Sequence, residues 1–202
     1  IGSSAFEECA LKEIVLPDGV ERISDQAFYY CDELASVVFP DSISEMGLDV
    51  LFSTAYYDNE ANWTDGVLFA GCHLISADRV TGESYVVPKG TRTIAGGAFD
   101  LSGSLKKGIV LNEELVYLGR EAFKGCAFEE ITIPESVTMI GSDAFFGCDE
   151  LERVVFEDPE NWTRYIVPED VHEPVRSSEL ADPTGAAVLL KDSYRFYILE
   201  KE

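Results

Sequence analysis

Apolar residues recur along the chain in one fixed order. The first unit opens with Ile1-Gly2, continues with Ala5-Phe6 and Cys9, and closes with an apolar stretch that ends at Pro17. The order starts again every 22 to 24 residues, with a longer interval only in the middle of the chain. Repetition at this period predicts a solenoid, in which each unit buries its apolar face against its neighbours. The later units open at Ile23, Met46, Ile94, Leu118 and Ile140.

Each unit predicts the same local structure. Ile14 and Leu16 mark a short β-strand whose apolar residues point inward, and Val15 between them points outward. Pro17 ends the strand because it has no N–H for further pairing. The glycine that follows the opening apolar residue suits a tight turn or a close approach of two backbones. The Ala-Phe pair then predicts a short helical turn whose Phe fills the core.

This order of residues resembles the unit of the bacterial BspA-like leucine-rich-repeat family, Ile-Gly-x-x-Ala-Phe-x-x-Cys-x-x-Leu-x-x-Ile-x-Ile-Pro-x-x-Val. The resemblance extends from Ile1 to about Trp162. It implies an α/β leucine-rich-repeat solenoid, a curved right-handed coil with parallel strands on the concave face and short helices or turns on the convex face. It also implies a secreted or cell-surface protein that mediates adhesion by binding host, matrix or other surface proteins.

The long interval predicts an insertion at about residues 55–84. Two short apolar runs flank a turn that contains Gly71, which predicts a β-hairpin at about residues 66–80. Insertions in solenoids commonly lie on one rim and are often functional. A flap that only fills a gap between coils explains the same pattern, and the sequence does not decide between the two.

The end of the chain departs from the repeat. We expect a solenoid over residues 1–166 and a C-terminal cap over residues 167–202, because the end of a solenoid has to be covered. Asp182-Pro183 predicts the start of a helix at about 183–191, and an aromatic run predicts a terminal strand at about 193–200. Residues 168–182 are predicted to be a surface segment. Trp63 and Trp162 occur in similar contexts, and we expect both indoles to cover exposed edges of the core.

Four of the five cysteines occupy one position of the repeat. Other units have Thr54 or Ser102 at that position, and neither replaces a thiolate as a metal ligand. We therefore expect a structural ladder of small buried residues with free thiols, although neighbouring coils would bring two cysteines close enough for a disulfide. Cys72 lies outside the ladder, beside His73. The ladder consists of Cys9, Cys31, Cys126 and Cys148.

Composition and motifs exclude several functions. The 38 Asp and Glu residues against 15 Lys and Arg give a formal net charge of −23, which would repel nucleic acid and anionic membrane surfaces. No apolar run is long enough to cross a membrane, and the first residues do not resemble a signal peptide. The chain has two histidines and lacks phosphate-binding, zinc and nucleophile motifs. We expect no enzymatic activity and no cofactor.

The candidate binding site is the outward face of the repeated strand. Its outward position carries a β-branched residue in every unit: Val15, Val38, Val86, Val110, Thr132 and Val155. An acidic row borders this stripe just past the strand, at Asp18, Asp41, Glu113 and Glu135, with Lys89 interrupting it. Stacked at strand spacing, the two rows predict a shallow groove for a basic or mixed protein partner, although a merely solvated face has the same pattern. Ca²⁺ could also bind the acidic row, but no sequence feature supports this.

Two functions fit this reading. The first is a non-catalytic secreted or cell-surface module that binds another protein. The second is a structural spacer that presents another domain of a larger surface protein. A contiguous exposed apolar or aromatic patch would favour the binding module.

Overall fold

The computed structural model describes residues 1–100, 105–166, 171–191 and 197–201. Over these residues the chain forms six coils, which begin at the six positions where the repeat opens. The helices are α1 (Ala55–Asp58), α2 (Ser177–Ala181) and α3 (Pro183–Lys191), and Glu60–Asn62 forms a 3₁₀ turn. The strands are β1 (Glu13–Val15), β2 (Arg22–Ile23), β3 (Ser36–Val38), β4 (Glu45–Met46), β5 (Trp63–Thr64), β6 (Val67–Ala70), β7 (His73–Ser76), β8 (Ser84–Val86), β9 (Thr93–Ile94), β10 (Gly108–Val110), β11 (Tyr117–Leu118), β12 (Glu130–Ile133), β13 (Met139–Ile140), β14 (Arg153–Phe156), β15 (Trp162–Ile166), β16 (Val171–Pro174) and β17 (Tyr197–Lys201).

Each coil after the first contributes a short strand at its opening and a longer strand further on, so the solenoid has two ladders. The longer strands pair in parallel, β1 with β3, β8 with β10, and β12 with β14. The two-residue strands form the second ladder, in which β9, β11 and β13 pair in parallel. The solenoid predicted from the repeat is confirmed, while its right-handedness and curvature stay predictions.

The Ala-Phe segment is a turn and not the short helical turn that we expected. The residue before Ala-Phe has a positive φ in every coil, from 52° at Asp49 to 67° at Gly97. Left-handed residues break a right-handed helix, so the backbone reverses here. The turns are tied between coils by backbone hydrogen bonds such as Phe28 N to Val50 O at 3.1 Å. The other residues at this position are Ser4, Gln26, Glu121 and Asp143.

Phenylalanine rings fill the core of the coils. Phe123 is fully buried and lies between Phe99 and Phe145, with 5.4 Å between ring centroids on each side. Phe6 stacks on Phe28 in the same way at 5.3 Å. Each ring therefore buries most of its surface against the equivalent ring of the next coil, as the repeat predicts.

The repeated glycine permits close approach of two coils. A Cβ added to Gly119 would overlap the backbone of Ala95 and Gly96 in the preceding coil, and φ at Gly119 is not positive. Of the two explanations that the sequence left open, close backbone approach is therefore the correct one.

The predicted hairpin is present and lies inside the solenoid. β6 pairs antiparallel with β7, and β7 pairs in parallel with β9, so the hairpin is a rung of the second ladder. Successive residues face opposite sides: Val67 and Leu74 join the core of the later coils, whereas Leu68 and Ile75 join that of the earlier coils. All four are buried, which is typical of a strand covered on both faces. The hairpin therefore lies between coils and not on a rim of the solenoid.

The last coil is covered by strands and helices together. β17 pairs antiparallel with β13 and with β15, which extends the second ladder beyond the last short strand. Helices α2 and α3 pack on β14, and Leu180, Ala187 and Leu190 are buried there. The expectation of a plain surface segment at 168–182 is wrong for its described part, because it contains β16 and α2 and buries Val175. The division at residue 167 stays a prediction, and β15, which precedes it, belongs to the antiparallel sheet.

Helix α3 begins where the sequence places it. The Asp182 side chain accepts a hydrogen bond from the Thr184 N–H at 3.2 Å, and its carbonyl accepts one from Ala186 N at 2.8 Å. Much of the predicted terminal strand falls on residues 193–196, which lie outside the described residues.

The two tryptophans cover the core to different extents. Trp162 is almost fully buried against the later coils, whereas Trp63 packs on the edge of the earlier core and stays partly exposed. Each indole N–H donates to a nearby backbone carbonyl, that of Asp158 for Trp162 and that of Tyr57 for Trp63.

Candidate functional site

The strand face carries the predicted β-branched stripe as three pairs. Val15 lies opposite Val38, Val86 opposite Val110, and Thr132 opposite Val155 in the strand register. The first four valines are 52–68% exposed. Thr132 is also exposed, and Val155 is half-buried.

The stripe is interrupted in two places. The hairpin separates Val38 from Val86, since its tip lies between the second coil and Thr93: His73 Nε2 is 3.0 Å from Pro40 O, and Nδ1 is 2.8 Å from Thr93 Oγ1. Within the described ranges, no ladder joins β10 to β12. The predicted continuous groove is therefore divided into shorter surfaces.

A groove of about 520 Å³ opens where β10 and β12 separate. Val86, Val110 and Thr132 line it, together with Glu113 and Glu157. The Leu position of the repeat is occupied here by Phe128, whose ring is fully buried. Gly108, on β10, lies next to Phe128: a Cβ added to Gly108 would be 3.9 Å from the Cβ of Phe128. A large ring beneath the surface thus coincides with the opening of the ladder.

The acidic border is present but unevenly charged. Asp18, Asp41, Glu113 and Glu135 are all exposed. At the C-terminal end, Lys201 lies 2.6 Å from Asp158, and this hydrogen bond holds the pKa of the Asp158 carboxyl below its usual value. Lys201 also donates to Glu135 O at 3.3 Å. The cap therefore neutralises the last part of the row.

The cysteine ladder has a feature that the sequence reading missed. Each buried thiol donates to the carbonyl of the core Phe in the preceding coil: Cys31 to Phe6 O at 2.8 Å and Cys148 to Phe123 O at 3.0 Å. Cys126 makes the same contact with Phe99 O at 3.4 Å. Thr54, at the same position of the third coil, is also small and buried, but its hydroxyl donates to Leu51 O within its own coil at 2.8 Å. Ser102 lies outside the described residues.

Two of the ladder thiols, Cys31 and Cys148, are poor nucleophiles. All five cysteines lie within the described residues and carry thiols. Burial raises the pKa of Cys31, and it raises the pKa of Cys148 to about 12. A thiol that stays protonated at neutral pH is unreactive, which supports a structural role.

Cys72 Sγ lies 3.5 Å from His73 Nε2, and the surroundings of both groups favour a structural role. Burial, with the Asp41 carboxylate, raises the pKa of the Cys72 thiol to about 11. Pro40 O can only accept, so His73 Nε2 carries the proton and Nδ1 accepts from Thr93. Both imidazole nitrogens are thus engaged in holding the hairpin between coils. Among the described residues, no cluster of His, Cys, Asp and Glu side chains is arranged to hold a metal ion.

The structure brings together an aromatic surface that the sequence reading did not find. Tyr29, Tyr30, Phe52, Tyr57 and Trp63 form a chain of ring contacts with centroids 4.4–6.4 Å apart, which we call the aromatic band. Tyr30 is 44% exposed and the other four rings are partly exposed. The sequence contains a sign of this surface, since Tyr29 follows the core residue Phe28 in the second coil and Phe52 follows Leu51 in the third. The insertion supplies Tyr57 and Trp63.

The fold and the repeated unit define a leucine-rich-repeat solenoid. More particularly, the chain belongs to the BspA-type leucine-rich-repeat family, because a family model described as a BspA type leucine rich repeat region, with 6 copies, matches residues 1–60 and 78–166. The unmatched stretch contains the hairpin. A comparison with curated proteins found no match. No helix among the described residues is long and apolar enough to span a membrane.

Three solved structures resemble this fold. A leucine rich cell surface protein from Faecalibacterium prausnitzii A2-165 is 24% identical, with a TM-score of 0.40, and the match covers 87% of this chain and 42% of that one. The pneumococcal vaccine antigen PcpA is 21% identical, with a TM-score of 0.43 and coverage of 78% and 54%. A leucine-rich repeat protein from Bacteroides ovatus ATCC 8483 is 24% identical, with a TM-score of 0.32 and coverage of 72% and 43%. This chain thus spans 42–54% of the length of those proteins.

Proposed function

We propose that this chain is a non-catalytic binding module of a secreted or cell-surface protein, and that it binds a host, matrix or other surface protein through its strand face. The observation that carries this proposal is the set of aligned valine pairs, whose four members are 52–68% exposed. A folded chain gains nothing in stability from leaving aliphatic side chains in water. Burying them against a partner would release that free energy.

The groove beside Val86 and Val110 is the centre of the proposed interface. Apolar side chains lie in its floor, and the carboxylates of Glu113 and Glu157 border it. An apolar centre with a charged rim is the usual arrangement of a protein interface. The formal net charge of −23 favours a partner with a basic surface.

Immobilised fibronectin, laminin, type I collagen and fibrinogen provide a direct test by biolayer interferometry. We expect saturable binding to at least one of them, and loss of that binding in the double variant Val86→Asp and Val110→Asp. The matched control is Val188→Asp, because Val188 is 65% exposed but lies on α3. Equal binding by the double variant would contradict the proposed face. Absence of saturable binding to all four proteins would favour the structural spacer.

The acidic border has its own test. Reversing the charge of Asp41, Glu113 and Glu135 together should weaken binding by about tenfold if each carboxylate forms one exposed ion pair with a basic partner. The loss should shrink as the salt concentration rises, because exposed charges are screened. Unchanged affinity at low salt would show that the row is only a solvated face.

A further inference from the structure

A hollow of about 320 Å³ adjoins the aromatic band. It lies beside the Leu48–Gly96 bridge that joins the third and fourth coils, with Leu48–Phe52 on one side and Gly96, Gly97 and Asp100 on the other. The side chains of Phe52 and Tyr57 line it, so the hollow continues the aromatic band. It shares no residue with the strand face.

Carboxylates surround the hollow more densely than cations do. Asp49, Asp78, Asp100 and Glu121 all contribute to its lining. Glu121 is already paired with Lys124 at 2.7 Å and with Arg120 at 2.9 Å, and Asp78 accepts a hydrogen bond from the Tyr57 hydroxyl. Among the described residues no Lys or Arg forms an ion pair with Asp49. Burial, followed by the carboxylates of Asp25, Asp100 and Glu121, raises the pKa of Asp49. The hollow therefore has an excess of negative potential next to aromatic rings.

The aromatic band already contacts one cation of this chain, Arg79. The guanidinium carbon of Arg79 lies 3.9 Å from the centroid of the Trp63 ring and 5.8 Å from that of Tyr57. The same guanidinium pairs with Glu60 at 2.8 Å. One end of the aromatic band thus already holds a cation between a ring face and a carboxylate, which is the geometry of a cation–π contact.

We propose that the aromatic band and its hollow are a second docking surface, which takes a Lys or Arg side chain from a basic segment of a partner polypeptide. The cationic head group lies in the hollow beside Asp49, and the aliphatic part of the side chain packs on Phe52 and Tyr57. The negative charge of the hollow favours a cation. The rings favour a cation with an aliphatic stem, which Lys and Arg have and an inorganic ion lacks. The proposal is independent of the strand-face interface.

A capped Gly-Arg-Gly tripeptide tests this directly, with Gly-citrulline-Gly as a neutral isostere. Each is titrated into the ¹⁵N-labelled full chain to 50 mM, about the concentration that a weak fragment needs, and backbone amide shifts are recorded. We expect saturable shifts at Val50, Phe52, Gly96 and Gly97 with the arginine peptide and much smaller ones with citrulline. Equal responses to both peptides, no saturable response, or shifts confined to the strand face would each overturn the proposal.

Two variants locate the site. Asp49 has φ of 52°, a conformation that asparagine tolerates well, so Asp49→Asn removes the charge with little strain. It should weaken arginine-peptide binding by about threefold, the effect of one partly exposed ion pair. Asp18→Asn on the strand face is the matched control and should leave binding unchanged. An unchanged affinity in Asp49→Asn would refute the assignment. The Val86→Asp and Val110→Asp variant should keep full peptide binding, so failure of the strand-face proposal and failure of this one are distinguishable.

Discussion

The regular geometry of the coils depends on single side chains that contact a neighbouring coil. The ladder thiols illustrate this, since Cys31 and Cys148 both donate to a Phe carbonyl of the preceding coil. A hydrogen bond to a buried carbonyl contributes about 1 kcal/mol. Thr54 occupies the same position but makes different hydrogen bonds. Its hydroxyl donates to Leu51 O within its own coil, and its side chain caps helix α1.

The buried phenylalanines contribute more than the thiols. Phe123 is fully buried between two other rings, so Phe123→Ala should lower the free energy of unfolding by about 3–5 kcal/mol. Urea denaturation measures this. The matched control is Phe146→Ala, because Phe146 is 41% exposed and should cost far less. Similar losses in the two variants would mean that the core register is wrong.

His73 gives the protein a sensitivity to acid. It is fully buried, and burial lowers its pKa from 6.5, so the folded chain holds it neutral. As the pH falls below 6.5, the unfolded chain binds a proton that the folded chain does not, and acidification therefore favours unfolding. Relative to His73→Gln, the wild-type chain should lose stability between pH 7 and about pH 5.5.

Comparing the two proteins by urea denaturation at each pH cancels the titration of the carboxylates. A wild-type curve parallel to that of His73→Gln would show that folding leaves the pKa of His73 unchanged.

At the level of elements, the distance between coils is set by glycine. Gly119→Ala would place a methyl group inside the backbone of the preceding coil, so the two strands of the second ladder would have to separate there. We expect a loss of stability of about 2 kcal/mol or more, within the range for forced overpacking. Gly2→Ala is a matched control at the same repeat position, since nothing lies within 4 Å of its added Cβ. Equal thermal melts of the two variants would contradict this account.

The longer strands and the turns differ in how the sequence specifies them. Strand residues such as Val15 and Ile14 alternate between outside and inside, and that alternation is visible in the sequence. The turns are specified by left-handed residues as different as Ser4, Gln26 and Glu121. No residue type marks the position, so we predicted a helical turn. The hydrogen bonds between coils, and not local propensity, hold these residues at positive φ.

On the scale of the whole molecule, the hairpin divides the core. Leu74 packs with the later coils, and Leu68 packs with the earlier ones. Because coils of a solenoid contact only their neighbours, damage on one face of the hairpin should stay on that side. Leu68→Ala should therefore lower amide protection mainly in residues 1–54, and Leu74→Ala mainly in residues 94–160. Native-state hydrogen exchange separates these outcomes, and uniform loss of protection in both variants would mean that the two halves unfold as one unit.

The sequence by itself determined the repeat, the core phenylalanines, the outward valines and the presence of the hairpin. These follow from periodicity, which reports the side of the backbone that each residue faces. Only the tertiary structure decided where the ladder of strands opens beside Val110, that the hairpin lies within the core, and that Tyr29 and Trp63 share one surface. These features depend on which coils meet after an insertion, and residues far apart in the sequence carry no periodic signal of their contact.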